Sequence, residues 1–482
     1  MMIPALAFKP REPKVVQITD HLGQLIRDGV LPMGARLPSI HTLTRQFGVS
    51  KFTVVDALDR LKGQQLVYAS QGRGYFVSRR GPVPDGDSLG KLLPQDFLSV
   101  SRRALIGEQG ASRPGCGFLP ADWLDNDNLR QALRQVSRQP NLRLAEYGDA
   151  AGYRPLRETL RERLAVFGMV LTPDQLVTTA NTMQALDLLL RLLLRPGDAV
   201  LVDDPCYFNF HGILSLHGAR VLSLPRTPDG PDLLLLERWL MEEKPRLYLT
   251  SGLLHNPTGQ SLSPAQAFSL LALLSRWDCH LIEDDLYGDL LGERVPRLAS
   301  IGGWERVTYV SGFSKLLSAN LRLGFVAASP ALAASLAGLK QVCGGVTMEI
   351  GERMLTGLLR DGHYDRQLRR IRQRLCDAGR RVDDWLTGLG CRLEFDGQGG
   401  LFRWVRLPDG VNSEALAHSA LAEGIALAPG SLFTRGKEGH HYMRLNLAHT
   451  DHPELMERLG RLLQEAGKGP TWLPGGGPLL LK

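Results

Sequence analysis

Read from the amino end, apolar positions first recur at helical spacing. Ile18, Leu22, Leu25 and Ile26 share one face of a predicted helix over Val16–Ile26, and Gly29 stops it. Pro32 and Gly34 mark a turn, and Ser39 is suited to cap a second helix, Ile40–Phe47, that ends at Gly48. Ser50 caps a third, Lys51–Lys62, which buries Val54, Ala57, Leu58 and Leu61 and stops at Gly63. Leu66–Ala69 and Tyr75–Ser78 then read as two short strands around Ser70-Gln71-Gly72-Arg73-Gly74. From about residue 120 the rhythm changes. Strand-like runs at Leu176–Thr179, Ala199–Val202, Arg220–Leu224, Arg246–Thr250, His280–Glu283, Val307–Val310 and Arg322–Ala328 alternate with helical patterns such as Thr182–Leu194 and Pro264–Arg276. That alternation predicts an α/β unit with a mostly parallel sheet. The residues after Gly351 are mainly helical, with a later strand pair near Gly400–Leu407 and Tyr442–Asn446, as in a smaller terminal subdomain.

Two parts with different partners follow from the charge. Residues 1–80 hold 12 Lys and Arg against 5 Asp and Glu, which accounts for the whole formal charge of +7; the other 45 basic and 45 acidic residues cancel. A small basic module on a large neutral one points to a polyanion as the first part's partner. Length and composition, 482 residues with 43% hydrophobic and 22% charged, fit several globular domains and exclude a mainly disordered chain. The longest greasy patch, Leu186–Leu194, is broken by Asp187 and Arg191, so no membrane span is expected, and Met1–Arg11 is too short and proline-broken for a signal peptide. Six cysteines lack CxxC spacing, against a zinc cage or a disulfide framework. A cytoplasmic protein without a metal site is the expectation. The domains are placed at 13–80, a linker at 81–113, the large part at 114–466 and a frayed tail at 467–482. Leu92–Leu105 has enough apolar residues for the linker to dock on something.

A helix-turn-helix followed by a basic hairpin is a winged-helix pattern, in which the third helix reaches base edges and Arg73 enters a minor groove or meets phosphate. Phe52 lies opposite Val54 and Leu58, where it either contacts a thymine methyl or sugar or packs on another domain. The segments Leu31-Pro32-Met33-Gly34-Ala35-Arg36-Leu37-Pro38-Ser39, Phe47-Gly48-Val49-Ser50-Lys51-Phe52-Thr53-Val54 and Gly72-Arg73-Gly74-Tyr75-Phe76-Val77 resemble the GntR-type winged-helix DNA-binding domain. The resemblance implies that Arg36, His41, Arg45, Ser50, Lys51, Thr53 and Arg73, with Phe52, face double-stranded DNA. That family commonly carries Arg where this chain has His41 and Lys51.

In open α/β sheets the ligand sits outside the carboxyl ends of the strands. There the chain places Ala180-Asn181-Thr182-Met183, opening a helix with free N–H groups, then Asp203-Asp204-Pro205-Cys206-Tyr207 and His255-Asn256-Pro257-Thr258-Gly259. Asp284-Asp285-Leu286-Tyr287 and Ser311-Gly312-Phe313-Ser314-Lys315 follow, with Arg322 seven residues on. No GxGxxG after a strand and no GxxxxGK[ST] occurs, which disfavours a dinucleotide or nucleoside triphosphate. Singly these are weak signs, and Glu283-Asp284-Asp285 alone could hold Mg²⁺. Jointly they supply what pyridoxal 5′-phosphate needs: an amine for the aldehyde, an acid for the pyridine nitrogen, a flat side chain on the ring, and a phosphate cradle.

The set resembles fold type I pyridoxal-phosphate enzymes of the aspartate aminotransferase class, an α/β domain with a smaller C-terminal α+β subdomain, over roughly residues 115–465. By that resemblance Lys315 is the catalytic, Schiff-base lysine and Asp284 pairs with the pyridine nitrogen. Tyr287 and Asn256 meet the phenolic oxygen, Tyr207 stacks on the ring, and Ser314, Arg322 and the N–H groups of Thr182 and Met183 bind phosphate. Tyr147 reaches the phosphate of a neighbouring subunit, and Arg444 clamps a substrate α-carboxylate. Gly312 stands where Ser or Thr is usual, and Asn181 where Gly is usual. A GntR-type reader joined to an aminotransferase-like domain is the layout of the MocR subfamily of transcription regulators. This implies a homodimer whose DNA binding responds to pyridoxal phosphate or an amino compound, with linker order as one variable. A working aminotransferase with a localising winged helix is the rival reading, and a catalytically dead dimerisation scaffold a third.

Overall fold

The computed structural model describes residues 3–78 except 5, 7, 11, 28, 29, 33, 65 and 71–73, and residues 112–467 except 292–294, 396 and 398. Arg73, most of the predicted linker and the tail beyond residue 467 therefore lie outside the described residues. The chain divides into two compact units, residues 1–92 and 93–482.

The first unit is built as its periodicity predicts. Helix α1 (Lys14–Arg27) packs Ile18 and Leu22 against Leu43 and Phe47 of α2 (Ile40–Phe47) and Val54, Ala57, Leu58 and Leu61 of α3 (Lys51–Gly63). Ser39 and Ser50 cap α2 and α3 by accepting the N–H groups of Thr42 and Thr53, each at 3.2 Å. Gly48 closes α2 at φ 60°, a left-handed conformation that costs glycine little. Strands β1 (Val67–Ser70) and β2 (Gly74–Val77) pair antiparallel. The stretch that reads as a turn also adds a third edge, since Leu37 donates to the Tyr75 carbonyl and Val77 to the Ala35 carbonyl, both at 2.9 Å.

In the second unit, eight strands form one sheet: β3 (Leu176–Thr179), β4 (Ala199–Asp204), β5 (Arg220–Thr227), β6 (Gly230–Pro231), β7 (Leu247–Thr250), β8 (His280–Asp285), β9 (Val307–Gly312) and β10 (Gly324–Ala327). Their spatial order is β3-β10-β9-β8-β7-β4-β5-β6. β9, β8, β7, β4 and β5 run parallel, and the uninterrupted apolar runs Val200-Leu201-Val202 and Leu247-Tyr248-Leu249 are fully buried, as expected of strands covered on both faces. β10 is antiparallel to both β3 and β9. Its connection from β9, residues 313–323, holds only turns, too little for a parallel crossover. Beyond the long helix His363–Gly388, β11 (Arg392–Leu393), β12 (Phe402–Arg406), β13 (Ala428–Pro429) and β14 (Tyr442–Asn446) make a second, antiparallel sheet. No helix among the described residues is long and apolar enough to cross a membrane.

A buried polar anchor holds the loop before β3. Thr178 donates to Glu352 Oε1 at 2.5 Å and its N–H to the Ala151 carbonyl at 3.0 Å, while Lys340 Nζ donates to the Ala150 carbonyl at 2.9 Å. Gly152 sits within this anchor at φ 101°, and a Cβ there would lie 1.9 Å from Thr178 Oγ1 and 2.6 Å from Glu352 Oε1. Gly152→Ala adds left-handed strain to a clash with two buried polar groups, so we expect thermal unfolding to show a loss of about 2–4 kcal/mol. An unchanged melting temperature would refute the packing described.

Candidate functional site

Three consecutive carboxylates on β8 show how the strand selects one of them for the site. Side chains alternate faces along a strand. Glu283 accepts the N–H groups of Leu298 and Ala299, both at 2.9 Å, which open the short helix Leu298–Gly302. Asp285 accepts from Arg297 Nε at 2.8 Å, Tyr309 Oη at 2.9 Å and the Gly288 N–H at 2.8 Å. Asp284, between them, is 6% exposed, and its Oδ1 has no hydrogen-bond partner. Burial, then Asp285, push its carboxyl up to about 7, with Lys315 opposing. No cluster of metal-binding side chains occurs among the described residues. An orphaned buried acceptor is the property required of the partner of a protonated ring nitrogen.

Lys315 follows β9, and its Nζ would lie 3.8 Å from a Cβ on Gly117, as would Arg444 Nη2. Burial and the neighbouring Arg444 lower the lysine to about 8, partly offset by Cys116 and Asp284. Arg444, on β14, is fully buried between Phe402 and Phe433, with its guanidinium carbon 4.5 and 4.7 Å from the ring centres. Its Nη1 donates to Asn256 Oδ1 at 2.8 Å and its Nη2 to the Gly115 carbonyl at 2.6 Å, leaving Nε unpaired. Tyr287 donates to the Gly117 carbonyl at 3.1 Å. Burial pushes the Tyr207 hydroxyl up to about 12, with Arg444 and Asp284 close enough to act on it, and that hydroxyl accepts from Asn209 Nδ2 at 2.7 Å. Lys315, Asp284, Asn256, Tyr287, Tyr207 and Arg444 thus occupy one place, with flat, cationic and acceptor groups around an amine.

The opposite pole is built from a helix start. Asn181 precedes helix Thr182–Leu193 at φ −177°, extended backbone that any residue adopts, and its Oδ1 accepts the Gln184 N–H at 2.9 Å. Capping at the third position leaves the N–H groups of Thr182 and Met183 without intrahelical partners. The helix start presses on the strands: a Cβ on Gly312 would meet the Leu323 carbonyl at 3.0 Å and Thr182 Cγ2 at 3.1 Å. A Ser or Thr at 312 would need the Leu323 carbonyl or the Thr182 methyl to shift by a few tenths of an ångström. Ser314 is half-buried, and Arg322 is exposed, acts on Lys315 electrostatically, forms no ion pair among the described residues and holds φ 51°, a strained angle for a non-glycine. Tyr147 stands apart from these groups, 91% exposed.

In the first unit Arg36, His41, Arg45, Ser50, Lys51 and Phe52 are exposed and Thr53 is half-buried. Phe52 is 80% exposed, which removes packing within its own unit as its role. The hydroxyls of Ser50 and Thr53 are 2.8 Å apart, so part of their hydrogen-bonding capacity is spent on the cap. Arg36 forms a β-bridge with Phe76 of β2, and its Nε would lie 3.7 Å from a Cβ on Gly74, at the turn end of the hairpin.

Several site residues carry no sequence signal. Gly115, Cys116 and Gly117 follow a stretch without periodicity, yet their carbonyls and thiol face Arg444, Asn446 and Tyr287. Phe402 and Phe433 read as ordinary core. The arriving chain is laid along the second unit by Ser112, whose N–H donates to the Gly424 carbonyl at 3.0 Å, and by Gly115, whose N–H donates to the Ala426 carbonyl at 2.9 Å.

The family profile of aminotransferase class I and II matches residues 122–462, and that of the gntR family of bacterial regulatory proteins matches residues 14–77. The chain is 29% identical to the uncharacterised HTH-type transcriptional regulator YdcR of Escherichia coli, over 94% of this chain and 99% of that protein. It is 25% identical to the "Probable rhizopine catabolism regulatory protein MocR" of Rhizobium meliloti, over 86% and 85%. The crystal structure of the α-aminoadipate aminotransferase LysN of Thermus thermophilus, complexed with N-(5′-phosphopyridoxyl)-L-leucine, superposes with TM-score 0.69 at 28% identity, covering 79% of this chain and 97% of that one.

Leaving Asp284 unpaired has a measurable consequence for the cofactor-free protein. Its carboxyl is held near 7 instead of the usual 3.8, so folding favours the protonated form and the stability deficit grows as pH rises from about 4 through 7. Asp284→Asn should therefore raise stability at pH 8 by about 1–3 kcal/mol in thermal unfolding, a gain that shrinks below pH 7 and vanishes near pH 4. A destabilised Asn variant at pH 8 would show that the carboxylate is satisfied in the fold.

Proposed function

The chain belongs to the aminotransferase class I and II family and carries a gntR-family regulatory domain, the make-up of a MocR-type transcription regulator, and on that premise we propose that its large unit senses an amino compound through pyridoxal 5′-phosphate and alters DNA binding. The observation that carries the reading is the unpaired buried oxygen of Asp284 beside a lysine lowered to about 8. When bound, pyridoxal phosphate supplies an aldehyde for an amine and a protonated ring that withdraws electrons. Asp284 would hold the proton at the ring nitrogen, and its own tendency to protonate falls once that cation faces it. Lys315 would present a neutral amine, which a value near 8 makes available close to neutral pH. Tyr207 would lie on the ring, and Asn256 and Tyr287 would orient its phenolic oxygen. Thr182, Met183, Ser314 and Arg322 would hold the phosphate. Arg444 would take a carboxylate of the amino compound, with Asn256 fixing the fork.

Sensing requires that ligand and arm interact with different affinity in two arrangements. The segment that arrives from the linker already supplies carbonyls to Arg444 and Tyr287, through Gly115 and Gly117. A carboxylate at Arg444 competes with the Gly115 carbonyl, which ties ligand occupancy to the path of the linker's end. Tyr147 supports a dimeric site: the loop that carries it and the exposed Leu144 is anchored to helix Glu349–Arg360 through Arg353 and Asn141, and Met348 before that helix is also exposed. On the reader, Arg45, Lys51 and Phe52 at and before the start of α3, with Arg36 by the hairpin, would meet double-stranded DNA in a cytoplasmic cell compartment.

The rival, a transaminase with a localising reader, is favoured by one observation, that Lys315, Asp284, Tyr287 and Arg444 are all present and converge. The deciding experiment is DNA binding to the chain's own upstream region, titrated with pyridoxal phosphate and amino acids. We expect affinity to change with ligand in the natural protein and not in Lys315→Ala. A natural protein whose DNA affinity ignores the ligands, with transamination at roughly one turnover per second or more, would establish the rival. Lys51→Ala should weaken binding to all sequences alike and lower the salt slope of log K by about 1. An unchanged slope would remove Lys51 from the phosphate contacts.

A further inference from the structure

Beneath the site lies an ionic cluster of Asp203, Arg226 and His255. Asp203, at the carboxyl end of β4, is 1% exposed. Its Oδ1 accepts from Tyr248 Oη at 2.6 Å, and its Oδ2 from Thr250 Oγ1 at 2.6 Å. Arg226 Nη1 and His255 Nε2 stand 3.2 and 3.4 Å from the same Oδ2. These donors come from both strands that flank β4, Arg226 from β5 and Tyr248 and Thr250 from β7, and from the loop after β7. Although burial alone would raise it, Arg226 and His255 hold the Asp203 carboxyl well below its usual range, so it stays ionised.

The histidine's protonation follows from its neighbours. Burial and Arg226 lower it to about 4, so the ring is neutral and has a single N–H. Facing an ionised carboxylate, that N–H lies on Nε2, and Nδ1 accepts from Thr258 Oγ1 at 2.9 Å. Thr258 Oγ1 in turn accepts the Gln260 N–H at 3.3 Å, and Arg226 Nε donates to Gln260 Oε1 at 2.8 Å. The ring of contacts closes on Asp203. It encloses the whole loop His255–Gln260, which enters through Leu254 at φ 44°, a strained angle that the surrounding contacts must hold. Asn256, whose Oδ1 accepts from Arg444, is the residue next to the anchored histidine. Tyr207 leaves the same strand four residues after Asp203.

We infer that Asp203 and His255 are positioning residues: the carboxylate–imidazole pair sets where Asn256 Oδ1 stands, and so aims the guanidinium of Arg444 at the α-carboxylate of an amino acid. The inference rests on the reading of Asn256 and Arg444 given under the proposed function. A purely structural ion cluster would stabilise the fold and leave ligand discrimination alone.

His255→Leu is the informative variant, because it spares the Asp203–Arg226 pair, whose disruption threatens folding. It removes the donor to Asp203 and the acceptor for Thr258 together. His255→Gln offers an amide NH2 donor and an oxygen acceptor in their place and serves as the rescue. The protein reconstituted with pyridoxal phosphate is titrated with L-alanine and with ethylamine, its counterpart without the carboxylate, by changes in the visible band. The affinity ratio between the two should fall at least tenfold in His255→Leu and return to within about threefold of the natural ratio in His255→Gln. Ethylamine affinity should move little in either. An unchanged ratio in a folded His255→Leu protein that still binds the cofactor would overturn the inference; should His255→Leu not fold, an unchanged ratio in Asp203→Asn decides in the same way. A natural protein that takes up no cofactor, or shows no preference for alanine over ethylamine, would instead overturn the reading beneath it.

Discussion

A carboxylate taken out of water and given no donor raises the free energy of a fold, and protein interiors seldom contain one. Here Asp284 Oδ1 is in that state. Along β8 the fold supplies five protein donors to Glu283 and Asp285 and leaves Asp284 Oδ1 without one. The same region lowers the affinity of Lys315 for its proton and encloses Arg444 between two rings. Such an arrangement is unfavourable in the empty protein and becomes favourable around a ligand that is cationic at one atom, electrophilic at another and anionic at a third. The large unit is organised around that complementarity.

Support for the site comes from groups that never face the ligand. The Asp203 cluster anchors the loop of Asn256 from below, and the anchor at Thr178, Glu352 and Lys340 fixes the loop that ends in Gly152. The first is a buried ion cluster whose disruption leaves a charge unpaired, and the second is a buried polar anchor made of side-chain and backbone hydrogen bonds. Their value lies in geometry: each binds a loop to the central sheet at a site-bearing position. The chain end that emerges from the linker is held differently, by backbone bonds from Ser112 and Gly115 and by carbonyls given to Arg444 and Tyr287. Under the proposed function, a carboxylate at Arg444 would compete with the Gly115 carbonyl among those last contacts.

Much of this is legible in the amino-acid order alone. The reader's helices announce themselves through a 3.6-residue period and two serine caps, and their observed bounds lie within two residues of the expected ones, those of α2 coinciding. The Ala35–Leu37 edge escapes such a reading because flanking Pro32, Gly34 and Pro38 look like a turn. In the large unit the residues at strand ends are found because chain order places them there. β8 nevertheless runs on through Asp284 and Asp285, acidic residues with little strand preference, so the expected strand ends too early, at Glu283. The sheet is also more mixed than the apolar runs imply, since a buried antiparallel strand such as β10 has the same composition as a parallel one. Gly312 and Asn181, departures at the level of sequence, become consistent once the close approach of the helix start and its cap are visible. Arg226, His255 and Asp203 give no periodic signal, because polar residues buried inside strands and tight loops are defined only by what they meet in space.

The central claim is that the cofactor attaches to Lys315. Pure protein, reconstituted with pyridoxal phosphate, reduced with borohydride and mapped by peptide mass spectrometry, should carry one phosphopyridoxyl group per chain on Lys315, and Asp284→Asn should carry far less at the same cofactor concentration. Modification spread over exposed lysines such as Lys9, Lys51 and Lys62, with Lys315 unmarked, would contradict it.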